Sequence, residues 1–369
     1  MELCRGNGLR RAGGEGRGAM SGGVRQRTHA LWAATALFLM AAVVAGCAGP
    51  RFEIPRPDPG LVDQMAAEIG ERRMRLRAGD GDRLFAAGFP LAAVVARHLP
   101  EVPSRPAIGV RLHDLSVYEE GERVAAAALF GVGERPSVAY VIEGSPAGTA
   151  GLLPGDVLVA VGGRAVGGGP GASQRAGRAV AAALERTGEA VLAVERGGGQ
   201  LEFRVGSVRI ADMPVRLRGS NRVNAWALGR RVEINAGMLS FVENEHELAF
   251  IIAHEMAHNA LRHHRAVLWN YLLGTAGDGL LALVGVLTPN LGGLSAAAAR
   301  SEAFEYEADL FALRWMAEAG FDPEQALDLW PRLAARSAPP RVGRPVIRSH
   351  PPAPERAAFM RAVADELRP

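Results

Sequence analysis

The chain has 369 residues, 42 Lys+Arg against 39 Asp+Glu and a formal net charge of +3. Every basic residue is Arg, and removal of residues 1–46 leaves 36 basic against 37 acidic groups. A body without a basic surplus lacks the electrostatic footprint of a nucleic-acid binder, and no nucleic-acid partner is expected. The two cysteines, Cys4 and Cys47, fall on either side of a processing point before Cys47, which excludes an internal disulfide from the processed chain. About 320 remaining residues are enough for two domains with separate cores.

Arg25 and Arg27 precede an apolar run over residues 31–44, which closes on Ala45-Gly46-Cys47. A basic start, an apolar stretch of signal-peptide length and small residues before a cysteine make a secretory leader. The pattern resembles the bacterial lipobox, which implies cleavage before Cys47 and acylation of that residue. The run is short of the roughly 20 residues that span a bilayer, so tethering is expected rather than spanning. Ala48 follows the cysteine where the usual sorting rule reads Asp as retention, which favours the outer membrane and a periplasmic face. Residues 1–19 are Gly- and Arg-rich, and Met20 is the alternative start to Met1.

A Pro-rich linker covers residues 47–60, and helices are expected over residues 61–77 and 83–99, forming an N-terminal helical region to residue 103. Residues 104–208 read as a β-rich insert. Within it a strand runs into the Gly144-Ser145-Pro146 turn, a short helix, the Pro154-Gly155-Asp156 turn and a second strand. This string resembles a PDZ domain of the HtrA type, with residues 179–186 as the groove helix and 190–196 as the next strand. The resemblance implies capture of an extended peptide at a strand edge, with backbone N–H groups of Ile108 and Gly109 near its terminal carboxylate. Pro106 removes one donor and residues 119–133 are an insertion, so a spacer with an occluded groove stands as the other reading.

Two strands, near residues 223–228 and 231–235, precede the segment that carries the chemistry. His254-Glu255-Met256-Ala257-His258 puts two imidazoles one helical turn apart, with a carboxylate between them. The apolar approach, residues 248–253, marks the helix as buried, and buried imidazoles want partners. A single zinc ion suits them, with Glu255 placed as general base. Residues 266–294 are nearly uncharged but broken by Gly and Pro, and are expected as an apolar helical hairpin beside the cleft, touching substrate or a membrane surface. Glu305 and Asp309 again stand one turn apart on a second helix. Glu305 can complete a His, His, Glu set, and Asp309 can accept a hydrogen bond from a ligand His. His263 and His264 read as a solvated helix end without an acidic partner, His246 as part of the polar approach, and His98 and His113 as isolated.

These motifs, with Ser349-His350-Pro351-Pro352 and Arg356 beyond them, resemble the zinc metallopeptidase family that includes HtpX, the CAAX prenyl endopeptidase and the periplasmic BepA-like proteins. The resemblance covers residues 209–369. It implies an α+β architecture: a mainly helical, zincin-like peptidase domain with a small β-sheet, joined to the β-rich PDZ-like domain. It implies Glu305 as third ligand, Asp309 as its hydrogen-bonding neighbour, and Arg356 as an anchor through an acidic partner. His350 would lie over the metal, supporting an oxyanion or blocking the open position. Protein or peptide substrates would lie along the strand at Asn224 and Ala225. The expected function is a lipid-anchored zinc endopeptidase of misfolded or envelope proteins; the alternative is a chaperone-like or scaffold lipoprotein with little turnover.

Overall fold

The structure, a computed structural model, describes residues 56–283, 291–336 and 354–368 and the single residues Trp32 and Thr35, with backbone alone at 274, 277–281 and 291–301. Cys47 and His350 lie outside the described residues. Helix α1 spans Pro59–His98. Two helices were expected here, and the chain forms one. Gly79 and Gly81 do not break it, because Gly81 leaves the space that the Arg111 guanidinium occupies, 3.2 Å from where a Cβ would stand.

After α1 the chain makes β1 (Ser104–Ala107), β2 (Val110–His113), helix α2 (Arg123–Phe130), β3 (Ser137–Val141), β4 (Val157–Val161), β5 (Arg164–Ala165), helix α3 (Ala172–Thr187), β6 (Glu189–Arg196), β7 (Gly199–Gly206) and β8 (Val208–Ala211). Strands β2 to β7 form an antiparallel sheet in the order β2-β3-β4-β6-β7, with β5 on β4. Ile108, Leu158, Val180, Leu184, Leu192 and Val205 belong to its own core. Asp114 staples this module: it accepts hydrogen bonds from Ser116 N–H at 2.8 Å, Ser173 N–H at 2.7 Å and the Ser173 hydroxyl at 2.6 Å, fixing α3 against the end of β2. Gly109 adopts φ +82, and a Cβ there would stand 2.3 Å from that of Ser145, so the turn into β2 admits only glycine.

Strand β1 pairs antiparallel with β8, Ala107 opposite Val208, so the chain leaves for the β-rich module and returns at one point. Strands β9 (Val215–Arg218), β10 (Ala225–Leu228) and β11 (Arg231–Asn235) follow. β11 lies between β10, antiparallel, and β9, parallel, which leaves β10 at an edge. Helix α4 (Glu245–Ala260) starts at Asn244, whose side chain accepts from Glu247 N–H at 2.9 Å, while the Glu247 carboxylate accepts from Glu243 N–H at 2.8 Å. Asn244 thus satisfies one orphan donor of the first turn, and Glu247 ties down the residue before the cap. Every residue from Glu247 to Ala260 is buried, so α4 is the central helix of the larger core. Helices α5 (His263–Leu283) and α6 (Leu291–Glu318) pack side by side, followed by α7 (Leu329–Arg336) and α8 (Pro354–Glu366). The larger core joins Leu84 to Val95 of α1 with Ile234, Leu248, Ile252, Leu313 and Met360. No helix among the described residues is long and apolar enough to cross a membrane.

Candidate active site

Helix α4 carries His254 and His258 on one face, and α6 brings Glu305 and Asp309 opposite them. His254 Nε2 and His258 Nε2 are 3.1 Å apart, His254 Nε2 lies 3.5 Å from Glu305 Oε2, and His258 Nε2 lies 3.4 Å from Glu305 Oε1. A tetrahedral ion with bonds of about 2.0–2.1 Å needs donors about 3.3 Å apart. Donor atoms of the three residues all lie within 4.8 Å of one another, and all three residues are buried. The residues present fit a zinc ion on spacing and on donor chemistry.

The charges around them fit as well. His254 Nδ1 is 3.0 Å from Asp309 Oδ1, and Arg356, 1% exposed, bonds Asp309 through Nε at 2.8 Å and Nη2 at 2.7 Å. Its Nη1 reaches Glu305 Oε2 at 2.9 Å, and its guanidinium lies 4.6 Å from the Trp330 ring centroid. Of the three buried carboxylates Glu255, Glu305 and Asp309, the last two share the one buried guanidinium, and with both ligand imidazoles neutral a net negative charge remains for a divalent cation to balance. Without an ion, burial pushes the His254 imidazole down, but hydrogen bonds to Asp309 and Glu305 outweigh it and raise its pKa to about 10; a cation at Nε2 would take the place of that proton. Burial likewise works to raise Asp309, and its bonds to His254 and Arg356 hold it below the ordinary carboxylate value.

Glu255 sits in the same helix turn, 3% exposed, beside the donor set and off its ligand face. Asn224 is exposed and Ala225 buried, at the head of the edge strand β10, which packs on α4. Ile108 and Gly109 stand in the β-rich module, away from the donor cluster, where they line the groove between β2 and α3.

His263 corrects the sequence reading. It is 3% exposed, its Nδ1 lies 3.0 Å from His258 Nδ1, and its Nε2 lies 3.1 Å from Glu307 Oε2. Its ring stacks on Phe304 at 4.7 Å. Burial pushes its pKa below the ordinary imidazole value, outweighing the pull of Glu307. Arg262 explains the turn inward: with φ +57 it adopts the left-handed conformation, ends α4 and directs the next residue back to the site. Three further histidines also have partners: His98 pairs with Glu318 at 2.5 Å, His113 meets the Tyr118 hydroxyl at 3.0 Å, and His246 accepts from Asp322 N–H at 2.9 Å, while His264 is exposed as expected.

Two imidazoles and a carboxylate converging on one point, with a second carboxylate in the HExxH position, define a metallopeptidase-type centre. Comparison with known proteins agrees: residues 207–364 match the family model "Peptidase family M48", and residues 137–185 match that of the PDZ domain. The chain thus carries a peptidase family M48 domain and a PDZ domain. It is 36% identical over 120 residues to the mitochondrial metalloendopeptidase OMA1 of Schizosaccharomyces pombe, covering 30% of this chain and 35% of that protein. It is 28% identical over 192 residues to the beta-barrel assembly-enhancing protease of Yersinia pestis, covering 47% of this chain and 38% of that protein. The chain therefore spans a little over a third of the length of these curated relatives. Among solved structures, an HtrA3 PDZ domain bound to a phage-derived ligand matches at 21% identity and a TM-score of 0.22, covering 29% of this chain and 89% of that one.

Proposed function

We propose that the chain is a zinc-dependent endopeptidase acting on envelope or misfolded proteins at the periplasmic face of a bacterial membrane. The observation that carries the reading is the buried triangle of His254, His258 and Glu305 donors with Glu255 beside it. Zinc held there supplies Lewis acidity towards a peptide carbonyl and an attacking water. Asp309 holds His254 through Nδ1, leaving Nε2 for the ligand position, and Arg356 keeps Asp309 and Glu305 in place. Glu255 takes the proton of the attacking water and returns it to the leaving amine. Substrate lies extended along the free edge of β10 at Asn224 and Ala225, placing the scissile carbonyl at the cluster. His350 supports the oxyanion from the segment that precedes α8. Acylated Cys47 anchors the chain, and the PDZ domain selects or regulates what reaches the site.

Glu255→Gln tests this. The variant retains one zinc per chain by elemental analysis and loses roughly 10²–10⁴ in turnover of a casein-type substrate. An active Glu255→Gln protein would sink the mechanism. Exposed Leu268, Trp269, Leu272 and Leu273 on α5 favour a second reading, the holding of unfolded envelope proteins without cleavage. Rescue of client assembly by Glu255→Gln in cells, equal to that of the unsubstituted chain, would select it.

A further inference from the structure

One wall of the PDZ groove belongs to the peptidase core. β2 is an edge of its sheet, and beside it lies a groove of about 310 Å³ lined by Gly177, Val180 and Leu184 of α3 and by Phe85 and Phe89 of α1. The residues of β2 show which side each wall takes. Val110 and Leu112 pack against the PDZ core that includes α3. Arg111, between them, turns the other way and pairs with Asp82 of α1. Phe85 meets Tyr140 of β3 edge-on at 6.3 Å, on that same side. A second groove of about 300 Å³ shares Phe85 and Phe89 and continues along α1 to Val215 and Leu217 of β9.

A segment added to β2 continues the alternation of the sheet, because successive side chains of a strand point to opposite faces. Its side chains therefore meet α3 and α1 in turn. The charged side chains that line the groove are Arg105 and Arg111, which reach Asp212 at 3.9 Å and Asp82 outside its lining; among the described residues no carboxylate side chain lines the groove, which suits an occupant ending in a carboxylate.

We infer that this groove reads both faces of an extended, apolar C-terminal peptide: alternate side chains against Val180 and Leu184, and the intervening ones against Phe85 and Phe89 of the peptidase domain. A groove walled by α3 alone would leave every second peptide residue in solvent. Here consecutive apolar residues are favoured, as in the C-terminal strand of a protein that has failed to fold. The inference deepens the recognition role given to the PDZ domain and does not depend on peptide-bond hydrolysis.

Fluorescence anisotropy on the full-length Glu255→Gln chain tests it, so that a failure of catalysis leaves the result unaffected. The probe is a labelled decapeptide ending Val-Leu-Val-Leu, compared with its C-terminal amide and with Glu placed singly at each of the last four positions. Glu at each position weakens binding roughly tenfold, as a charge set against an apolar wall does, and amidation costs about as much. Phe85→Ala relieves the penalty at two alternate positions and leaves the other two. Gly177, with open space where a Cβ would stand, gives a variant that keeps the fold: Gly177→Leu fills the groove and abolishes binding. Penalties confined to alternate positions in the chain with Phe85 intact overturn the inference, and this scan decides alone if Phe85→Ala does not fold. Absence of binding to the parent peptide, binding that survives Gly177→Leu, or a Phe85→Ala pattern identical to that of the parent also overturns it.

Discussion

His258 is held from behind by a ring that no spacing rule points to. If His258 meets the metal through Nε2, its Nδ1 must be fixed by another group, and His263 Nδ1 stands 3.0 Å away with Glu307 behind it. This chain of contacts sets the tautomer and the orientation of the ligand ring. His263→Leu is expected to weaken zinc binding roughly 10–100-fold in a chelator competition, and His263→Asn to recover part of the loss. Arg356 has the opposite exposure to substitution. It is the buried cation shared by Asp309 and Glu305, so Arg356→Met leaves uncompensated carboxylates, costing about 3–5 kcal/mol of stability. Thermal unfolding of the metal-free protein reads that loss, and added zinc restores more of it than zinc adds to the unsubstituted chain. His254 with His258, and Glu305 with Asp309, were legible because each pair sits one turn apart on a helix, and Glu255 because it follows the first histidine of the HExxH string. His263 was not: its acidic partner is on another helix, and the inward turn depends on the left-handed Arg262.

Local signals served well where an element closes on itself and failed where a neighbour decides. The strand, turn, helix, turn, strand order of residues 137–161 is written in short-range residue types. The Gly79–Gly81 stretch reads as a break, yet the helix passes through because Arg111, on a distant strand, fills the space beside Gly81. The end of β2 carries a pH dependence of its own. Burial, then Arg111, lowers His113 to about 4, while unfolded histidine titrates near 6.5. Below pH 6.5 the unfolded chain binds the additional proton, so stability present above that value is lost as pH falls towards 4, at up to about 1.4 kcal/mol per pH unit. Asp114 adds a second window. Burial works to raise it, but its bonds to Ser116 and Ser173 hold it at about 2, so its contribution disappears as pH falls from 3.8 to about 2. Amide protection factors of β2, β3 and α3, taken against the intrinsic exchange rate at each pH, are expected to fall between pH 6.5 and 4, and His113→Gln to flatten that slope. An equal loss of protection in the variant would assign the effect to another group.

At the scale of the whole chain, the pairing of β1 with β8 makes the PDZ domain an excursion from the peptidase core. Ala107 and Val208 are register partners, and antiparallel partners stand only about 4.5–5.5 Å apart at Cα, so two residues can close the gap. The residues on either side of the excursion, Leu84 to Val102 and Ile210 to Met213, already share the core that holds α4. A chain in which residues 108–207 are replaced by Asn-Gly is therefore expected to fold, to bind one zinc and to cleave an unfolded substrate. Its melting temperature falls, because Phe85 and the Asp82 carboxylate lose their partners Tyr140 and Arg111. Its binding of the C-terminal decapeptide disappears. Zinc content, melting and anisotropy on the one shortened protein separate the two domains' roles: a soluble, zinc-bound but inactive product would mean that the PDZ domain delivers substrate to Glu255, whereas a product that cannot hold zinc would make the PDZ domain part of the scaffold of the site.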